Sequence, residues 1–321
     1  MNNDVLISII IPVKNGDCWL DALFQKLMQQ SLYSRAEIIV IDSGSTDKSI
    51  EIINRYPVKL VSILSHEFNH GGTRNLGAGL AKGKYVVMTV QDAIPETDLW
   101  LEQLMSGFVD DKVAGVCGQQ IVPHDLDKNP VLWYRPVSAP QKSFYHIDDT
   151  ADFLKLSPQE QRQKVGWDNV TAAYRRDILM NHPFQVIDFA EDICWAKDVL
   201  LKGYTLAYVD EARVYHYHHH LPQFILPRYF SVYYFEYKLF NVKPAISRPI
   251  LIEILSAGKI LIKESKLGLN KKLKWLMFNI RYWLVVNKTI KTFNDALSKG
   301  EQFLDLRYQT ICNKTPQAPK Y

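Results

Sequence analysis

Residues 6–13, LISIIIPV, form an unbroken apolar, β-branched run, the pattern of a strand buried on both faces. Leu20, Leu23, Phe24, Leu27 and Met28 then recur in steps of three and four, which predicts a helix with one apolar face. AEIIVID (36–42) reads as a second buried strand, and Ser45, Thr46 or Asp47 can cap a helix running through residue 55. VKLVSIL (58–64) predicts a third strand and KYVVMTV (84–90) a fourth. Between them HEFNHGGTRNLGAG (66–79) opens a helix that ends near Gly83. QDAIPET follows the fourth strand as an exit loop, before a helix from Leu99 to Phe108. Strands alternating with helices in this way predict βαβ units: an α/β fold with a mostly parallel sheet flanked by helices.

After VAGVCGQQIV (113–122) the periodicity fades. Residues 123–166 are rich in Pro, Asp and Lys and read as a long functional loop, a lid or an acceptor wall. Order returns with GWDNVTAAYRRDIL. Ile193, Ala196, Val199 and Leu200 then mark a helix that Gly203 ends, ahead of a strand closing on VYHYHHH (214–220). From residue 222 onward aromatics mix with Lys and Arg in amphipathic helices. The expected organisation is a domain over 1–235, divided at 122/123, and a basic, aromatic-rich helical extension over 236–321.

Charge sharpens that division. Residues 221–321 hold 17 Lys and Arg against 6 Asp and Glu, whereas residues 1–220 hold 21 against 28, so a basic tail follows a mildly acidic body. The four cysteines have neither CxxC nor zinc-ligand spacing. No leader precedes the first strand and no stretch reaches the ~18 apolar residues of a membrane span. The expectation is a cytoplasmic protein with reduced thiols.

Open α/β sheets bind ligands outside the carboxyl ends of their strands. Asp42 and Ser43, then His66 to Asn75, then Gln91 and Asp92 all fall at such ends, so three strand termini converge on one crevice. A glycine pair at a helix start (Gly71, Gly72) lets a backbone approach an anion, and Arg74 adds a bidentate clamp for phosphate. The 66–79 stretch is therefore expected to cradle a phosphorylated ligand.

SIIIPVKNG, IVIDSGSTDKS, GGTRNLGAGLAKGKYVV, QDAIP and AEDICWAKDVLLKGY follow one another in the order and at about the spacing of glycosyltransferase family 2. With FNHGGTRN and QDA, the chain most resembles the rhamnosyltransferase-like members, over roughly residues 5–235. The resemblance implies a GT-A fold, Rossmann-like, with residues 1–122 as the nucleotide-sugar-binding half and 123–235 as the acceptor-binding, catalytic half. It implies inverting transfer from a nucleotide diphosphate-sugar, with Mg²⁺ or Mn²⁺. By position it sets Pro12, Val13, Asp42 and Ser43 at the base or ribose, Gly72 and Asn75 at the diphosphate, and Arg74 at the diphosphate or the base, a helix-face salt bridge being the other reading of Arg74. His66 and His70 either contact donor oxygens or brace their loop. The family's acidic triplet is here Val90-Gln91-Asp92, which leaves Asp92 as the one carboxylate for the metal, Gln91 beside it. Asp192 matches the catalytic base, with Glu191 orienting the acceptor. Of the late histidines, His216 comes first and His218 second as metal or diphosphate ligands. WDN (167–169), with Arg175 and Arg176, resembles the family's acceptor-side segment, in which Trp167 either stacks on a sugar or belongs to the core.

The implied activity is transfer of a hexose, with dTDP-rhamnose the favoured donor, onto a bacterial surface polysaccharide such as O-antigen, its acceptor carried on a polyprenyl diphosphate lipid. A UDP-glucose or UDP-galactose donor, and a catalytically silent sugar-nucleotide-binding module, are the alternatives. The tail, with Trp275, Phe278, Trp283 and the lysines of KKLKW, suits an anionic membrane surface, which would make the protein peripheral at the inner face of the cell membrane. A packing subdomain or an oligomer interface are the other readings of the tail. No nucleic-acid motif is present, so nucleic acid is not an expected partner.

Overall fold

The computed structural model describes residues 5–125, 127–133, 141–217, 222–245 and 249–313. They form two compact units: the first from residues up to 121 and from the 141–217 stretch, the second from 122–133 with the described residues after 222.

The first unit begins with β1 (Ile7–Val13), α1 (Asp17–Met28), β2 (Ala36–Asp42), α2 (Ser49–Ile53), β3 (Lys59–Ser62), α3 (His70–Leu80) and β4 (Tyr85–Thr89). Then come β5 (Ile94–Pro95), α4 (Trp100–Met105) and β6 (Val113–Ile121). β1 and β2 run side by side in register, Val13 opposite Asp42, and β1 also pairs in parallel with β4. Their apolar side chains, with Leu20, Leu23, Phe24 and Leu27 of α1, make the main core. The helices are shorter than the apolar patterns suggest. α2 ends at Ile53, α3 starts only at His70 and stops at Leu80, and α4 covers Trp100–Met105 rather than 99–108. α3 starts there because Asn69 caps it, and it stops where Ala81 turns extended.

Residues 123–166 are not one long loop. A short helix, α5 (Pro130–Trp133), belongs to the second unit. In the first unit follow β7 (Lys142–Tyr145), α6 (Thr150–Lys155) and α7 (Pro158–Lys164). α7 opens on a reciprocal capping box between Ser157 and Glu160. Each element is too short for a hydrophobic period to show. The unit closes with β8 (Thr171–Arg175), α8 (Arg176–Asn181), α9 (Glu191–Leu201) and β9 (Thr205–Tyr215).

Strand order is β3-β2-β1-β4-β8-β6-β9-β5, with β7 also paired to β9. The sheet is parallel from β3 to β4. Beyond that it is mixed: β8 runs antiparallel to both β4 and β6, while β6 and β9 are parallel to each other. The register of β6 on β9 shifts between Cys117 and Gln119. Gly118 permits the shift, since a Cβ there would lie 2.1 Å from the Ala212 carbonyl oxygen.

The second unit contains α10 (Pro222–Phe240), α11 (Ile250–Lys263), α12 (Leu269–Leu297) and α13 (Glu301–Cys312). α10 runs unbroken through residue 235, where the sequence pattern set a domain boundary. Phe235 is buried there and meets Tyr308 edge-on, while Tyr234 stacks on Tyr308, so α10 cannot be divided between two units. Trp275 is core as well, packed with Leu261 and Leu267. No helix among the described residues is long and apolar enough to cross a membrane.

Candidate active site

Strand pairing builds the first part of the site. β5 lies antiparallel to β9 with Ile94 opposite Tyr215, which brings the loop before Ile94 back beside the residue that follows β9. Asp92 and His216 meet there, with Asp92 Oδ1 3.6 Å from His216 Nε2. That is too long for a hydrogen bond between them, but close enough for both to touch one cation. The other ring nitrogen is occupied: His216 Nδ1 lies 2.7 Å from Gln120 Oε1 on β6. An amide oxygen only accepts, so Nδ1 carries the proton and Nε2 faces Asp92. The amide nitrogen of Gln120 donates onward to the Asp168 carboxylate. Burial pushes the Asp168 carboxyl up, and the bonds from Gln120 and from the Val170 and Thr171 backbone pull it back.

The second part hangs on the start of α9. Ala190 holds a left-handed conformation (φ 65°) just before the helix, a strained geometry for a residue with a Cβ. It turns Glu191 inward, where Arg74 Nη1 donates to Glu191 Oε1 at 2.9 Å and Asn169 Nδ2 donates to the same oxygen at 3.1 Å. Tyr174 donates its hydroxyl to Asn169 Oδ1 at 2.5 Å, and Trp167 Nε1 donates to that hydroxyl at 2.7 Å. A chain of polar groups thus runs from the core to Glu191. Asp192 is half-buried beside it and accepts from its own helix start, the Ile193 N–H, at 2.8 Å. Desolvation, then the neighbouring Glu191 and Asp168 carboxylates, push the Asp192 carboxyl up to about 8, against the pull of Ile193 N–H and Arg74. Asp168 thereby stands between the two parts, near His216 on one side and Asp192 on the other.

Against known proteins, residues 8–179 match glycosyl transferase family 2. An O-antigen chain rhamnosyltransferase of Salmonella anatum is 35% identical over 234 residues, 70% of each chain. The chain belongs to glycosyl transferase family 2. Among solved structures, a mannosyltransferase of Pyrobaculum calidifontis in complex with GDP-Man and Mn²⁺ superposes with a TM-score of 0.53 at 16% identity, over 96% of this chain and 84% of that one. TarS of S. aureus, residues 1–349, gives 0.51 at 15% identity over 96% and 90%. The fold is therefore the GT-A glycosyltransferase fold, and the protein is a glycosyltransferase.

The remaining residues expected at a donor site occupy varied places. Pro12 is half-buried, and Val13 turns its side chain into the core. The Val13 carbonyl accepts from the Ser43 hydroxyl at 3.0 Å. Asp42 is buried and takes the Gly44 and Ser45 N–H groups at 2.9 and 3.1 Å, shaping the turn after β2. Gln91 bridges the β4 exit to the Lys14 backbone in both directions, at 2.8 and 3.2 Å. His66 is exposed in a short turn, and His70 stacks edge-on against Phe68.

At the start of α3 the expected anion cradle is already filled. Asn69 Oδ1 accepts from both Gly71 and Gly72 N–H at 3.0 Å, and Arg74 is turned toward Glu191 and the His70 carbonyl. Gly71 serves close packing: a Cβ there would lie 2.1 Å from the Gln185 carbonyl oxygen. Asn75 exchanges two hydrogen bonds with the Phe184 backbone, at 2.8 and 3.0 Å. Together these contacts make α3 a brace for the segment leading into α9. Trp167 is buried against Trp195 and Tyr174, the core alternative. His218 lies outside the described residues.

The sequence reading gave Gln120 no role, and took Asp168 and Asn169 only as part of the WDN segment (167–169) that resembles the family's acceptor side. Their signal was a polar interruption in otherwise apolar surroundings, Gln119-Gln120 at the end of β6 and Asp168-Asn169 ahead of β8.

Among the described residues no group of three or more His, Cys, Asp or Glu side chains gathers around one metal-sized point. One carboxylate and one imidazole facing each other nevertheless fit a divalent cation that takes its other ligands from a diphosphate and water.

Proposed function

We propose that this glycosyltransferase moves L-rhamnose from dTDP-rhamnose, with inversion, onto a growing O-antigen-type glycan carried by a polyprenyl diphosphate lipid at the inner membrane face. What carries the reading is the 35% identity to an O-antigen chain rhamnosyltransferase across 70% of both chains. The arrangement around Asp192 supports the chemistry.

Asp192 removes the acceptor hydroxyl proton. As that proton leaves, the acceptor oxygen forms its bond to the anomeric carbon, and the bond from that carbon to the diphosphate oxygen breaks on the opposite face. A base works best with a pKa near the operating pH, and the raised pKa of Asp192 suits it to this step. Glu191, held by Arg74 and Asn169, fixes the helix start from which Asp192 projects. Asp92 and His216 would hold Mg²⁺ or Mn²⁺, whose chemistry is to neutralise the charge on the departing diphosphate. Lys14, exposed after β1 and donating to Ser65 Oγ at 3.1 Å, adds a cation among the strand ends that hold Asp42 and Ser43. These ends are the nucleoside side of the site.

The test is calorimetric binding and turnover of dTDP-rhamnose, UDP-glucose, UDP-galactose and GDP-mannose, each with and without Mn²⁺. Selective, metal-enhanced binding of dTDP-rhamnose is the expected result. Preference for a UDP-sugar would overturn the donor and keep the mechanism. A folded sample that binds none of them would leave a silent module.

A further inference from the structure

The second unit leaves an apolar surface uncovered, and its neighbours are cationic. On α11, Leu251, Leu255 and Ile262 are spaced four and seven residues apart and lie on one stripe. They are 64%, 58% and 77% exposed, while Ala257 and Leu261 on the inward side are buried. α12 repeats the layout: Leu269, Leu273 and Met277 follow one another at four-residue steps and are 80%, 59% and 45% exposed, with Trp275 and Asn279 facing inward.

On a helical wheel of 3.6 residues per turn the next sector of each helix is basic. Lys259 and Lys263 adjoin the stripe of α11, Lys274 and Arg281 that of α12, and all four are exposed. Residues 250–281 carry seven Lys and Arg against two Glu. Each helix therefore shows the same sequence of faces around its axis: core, bare aliphatic, cation.

We propose that α11 and α12 form an in-plane docking surface for an anionic lipid bilayer, with Leu251, Leu255, Ile262, Leu269, Leu273 and Met277 entering the acyl boundary and the lysines meeting headgroup phosphates. This deepens the membrane part of the functional reading above and rests on it. It also names different residues from those the aromatic pattern suggested, since Trp275 is core and Phe278 packs half-buried against it. Aliphatic side chains on a bare face gain free energy only where an apolar phase receives them, and a row of lysines beside them selects an anionic interface. A second copy of this chain would bring the same cationic sector against itself, which like-charge repulsion disfavours.

The experiment is flotation of the full chain with vesicles of phosphatidylglycerol and phosphatidylcholine, and with vesicles of phosphatidylcholine alone. The chain is expected to float with the anionic vesicles and weakly with the neutral ones. Combined L255S, I262S and L273S should lower binding by about tenfold or more. A second variant, K259E with K263E and K274E, should abolish the preference for anionic lipid. None of these side chains is in a core, and melting curves matching the parent check that each variant folds. Failure of the parent to float with anionic vesicles, or undiminished flotation of the aliphatic variant, overturns the proposal. So does a concentration-dependent oligomer that the aliphatic variant disrupts without any vesicle binding. Donor turnover in detergent-free solution is measured alongside. Its loss with flotation intact would defeat the transferase reading and leave the surface standing.

Discussion

At the scale of single residues, the environment of Asp192 makes a statement about both rate and stability. Its carboxyl is pushed up to about 8 by desolvation and by the Glu191 and Asp168 charges, from about 3.9 in an unfolded chain. As the proton acceptor it must be ionised, so kcat/KM should climb with pH on a limb displaced far above the usual carboxylate range. A profile already flat from pH 5 upward would contradict the assignment. The stability sign is opposite. A folded pKa above the unfolded one contributes stability that is complete below the unfolded value and is lost as pH rises through the folded value. Asp192→Asn should therefore abolish transfer, leave donor binding in place, and raise Tm relative to the parent at pH 8 but not at pH 4. Gln120 supports a second prediction. It fixes the His216 tautomer through Nδ1, and loss of such an outer partner usually weakens metal affinity by about 10–100-fold. Gln120→Leu should shift Mn²⁺ titrations by that order while calorimetric binding of free nucleotide stays near the parent's. An unchanged Mn²⁺ titration would remove Gln120 from this role.

At the scale of elements, α3 and the start of α9 act as one assembly. The Arg74–Glu191 pair is almost fully buried, and removing one partner of such a pair costs about 3–5 kcal/mol because the other charge is stranded. Arg74→Ala should lower stability by that order in urea unfolding and reduce kcat more than donor affinity. A variant that lost donor binding with stability intact would return Arg74 to the diphosphate. The two glycines separate in the same way. Gly71→Ala drives a methyl into the Gln185 carbonyl and should cost about 1–3 kcal/mol, whereas the nearest atom to a Cβ at Gly72 is 3.7 Å away. Gly72→Ala should fold as well as the parent, so any activity it loses reports ligand contact. These relations also explain what could be read beforehand. β1, β2 and β4 were legible because continuous apolar runs admit little else, and strand-end residues such as Asp92 followed from the topology of open sheets. That Arg74 would turn to Glu191, 117 positions away, depends on tertiary placement that no local period encodes. The same holds for Gln120 beneath His216, which depends on the register shift at Gly118. The short elements between 141 and 166 left no signal because four to seven residues complete at most two turns.

At the scale of the whole molecule, the chain leaves its first unit after Ile121, contributes residues 122–133 to the second, and returns before β7. The excursion is anchored by chemistry. Asn129 and Asn279 are both buried and exchange side-chain amide hydrogen bonds at 2.8 and 3.1 Å, and α5 packs on α11. Cutting the chain at one point therefore cannot separate the units. A chain ending at Tyr217 would keep every strand of the sheet but strip residues 122–133 of their packing, leaving Asn129 without the amide it bonds. Such a chain should be recovered as aggregate, or show accelerated proteolysis confined to the 122–136 region. Asn279→Leu in the full chain tests the anchor on its own. It removes both hydrogen bonds that Asn129 exchanges with residue 279, a loss of about 1–3 kcal/mol, and should sensitise the same region to protease while donor binding persists. A soluble chain ending at Tyr217 that resists protease as the full chain does would show that the excursion is held from the first unit, and that the anchor between Asn129 and Asn279 is dispensable to it.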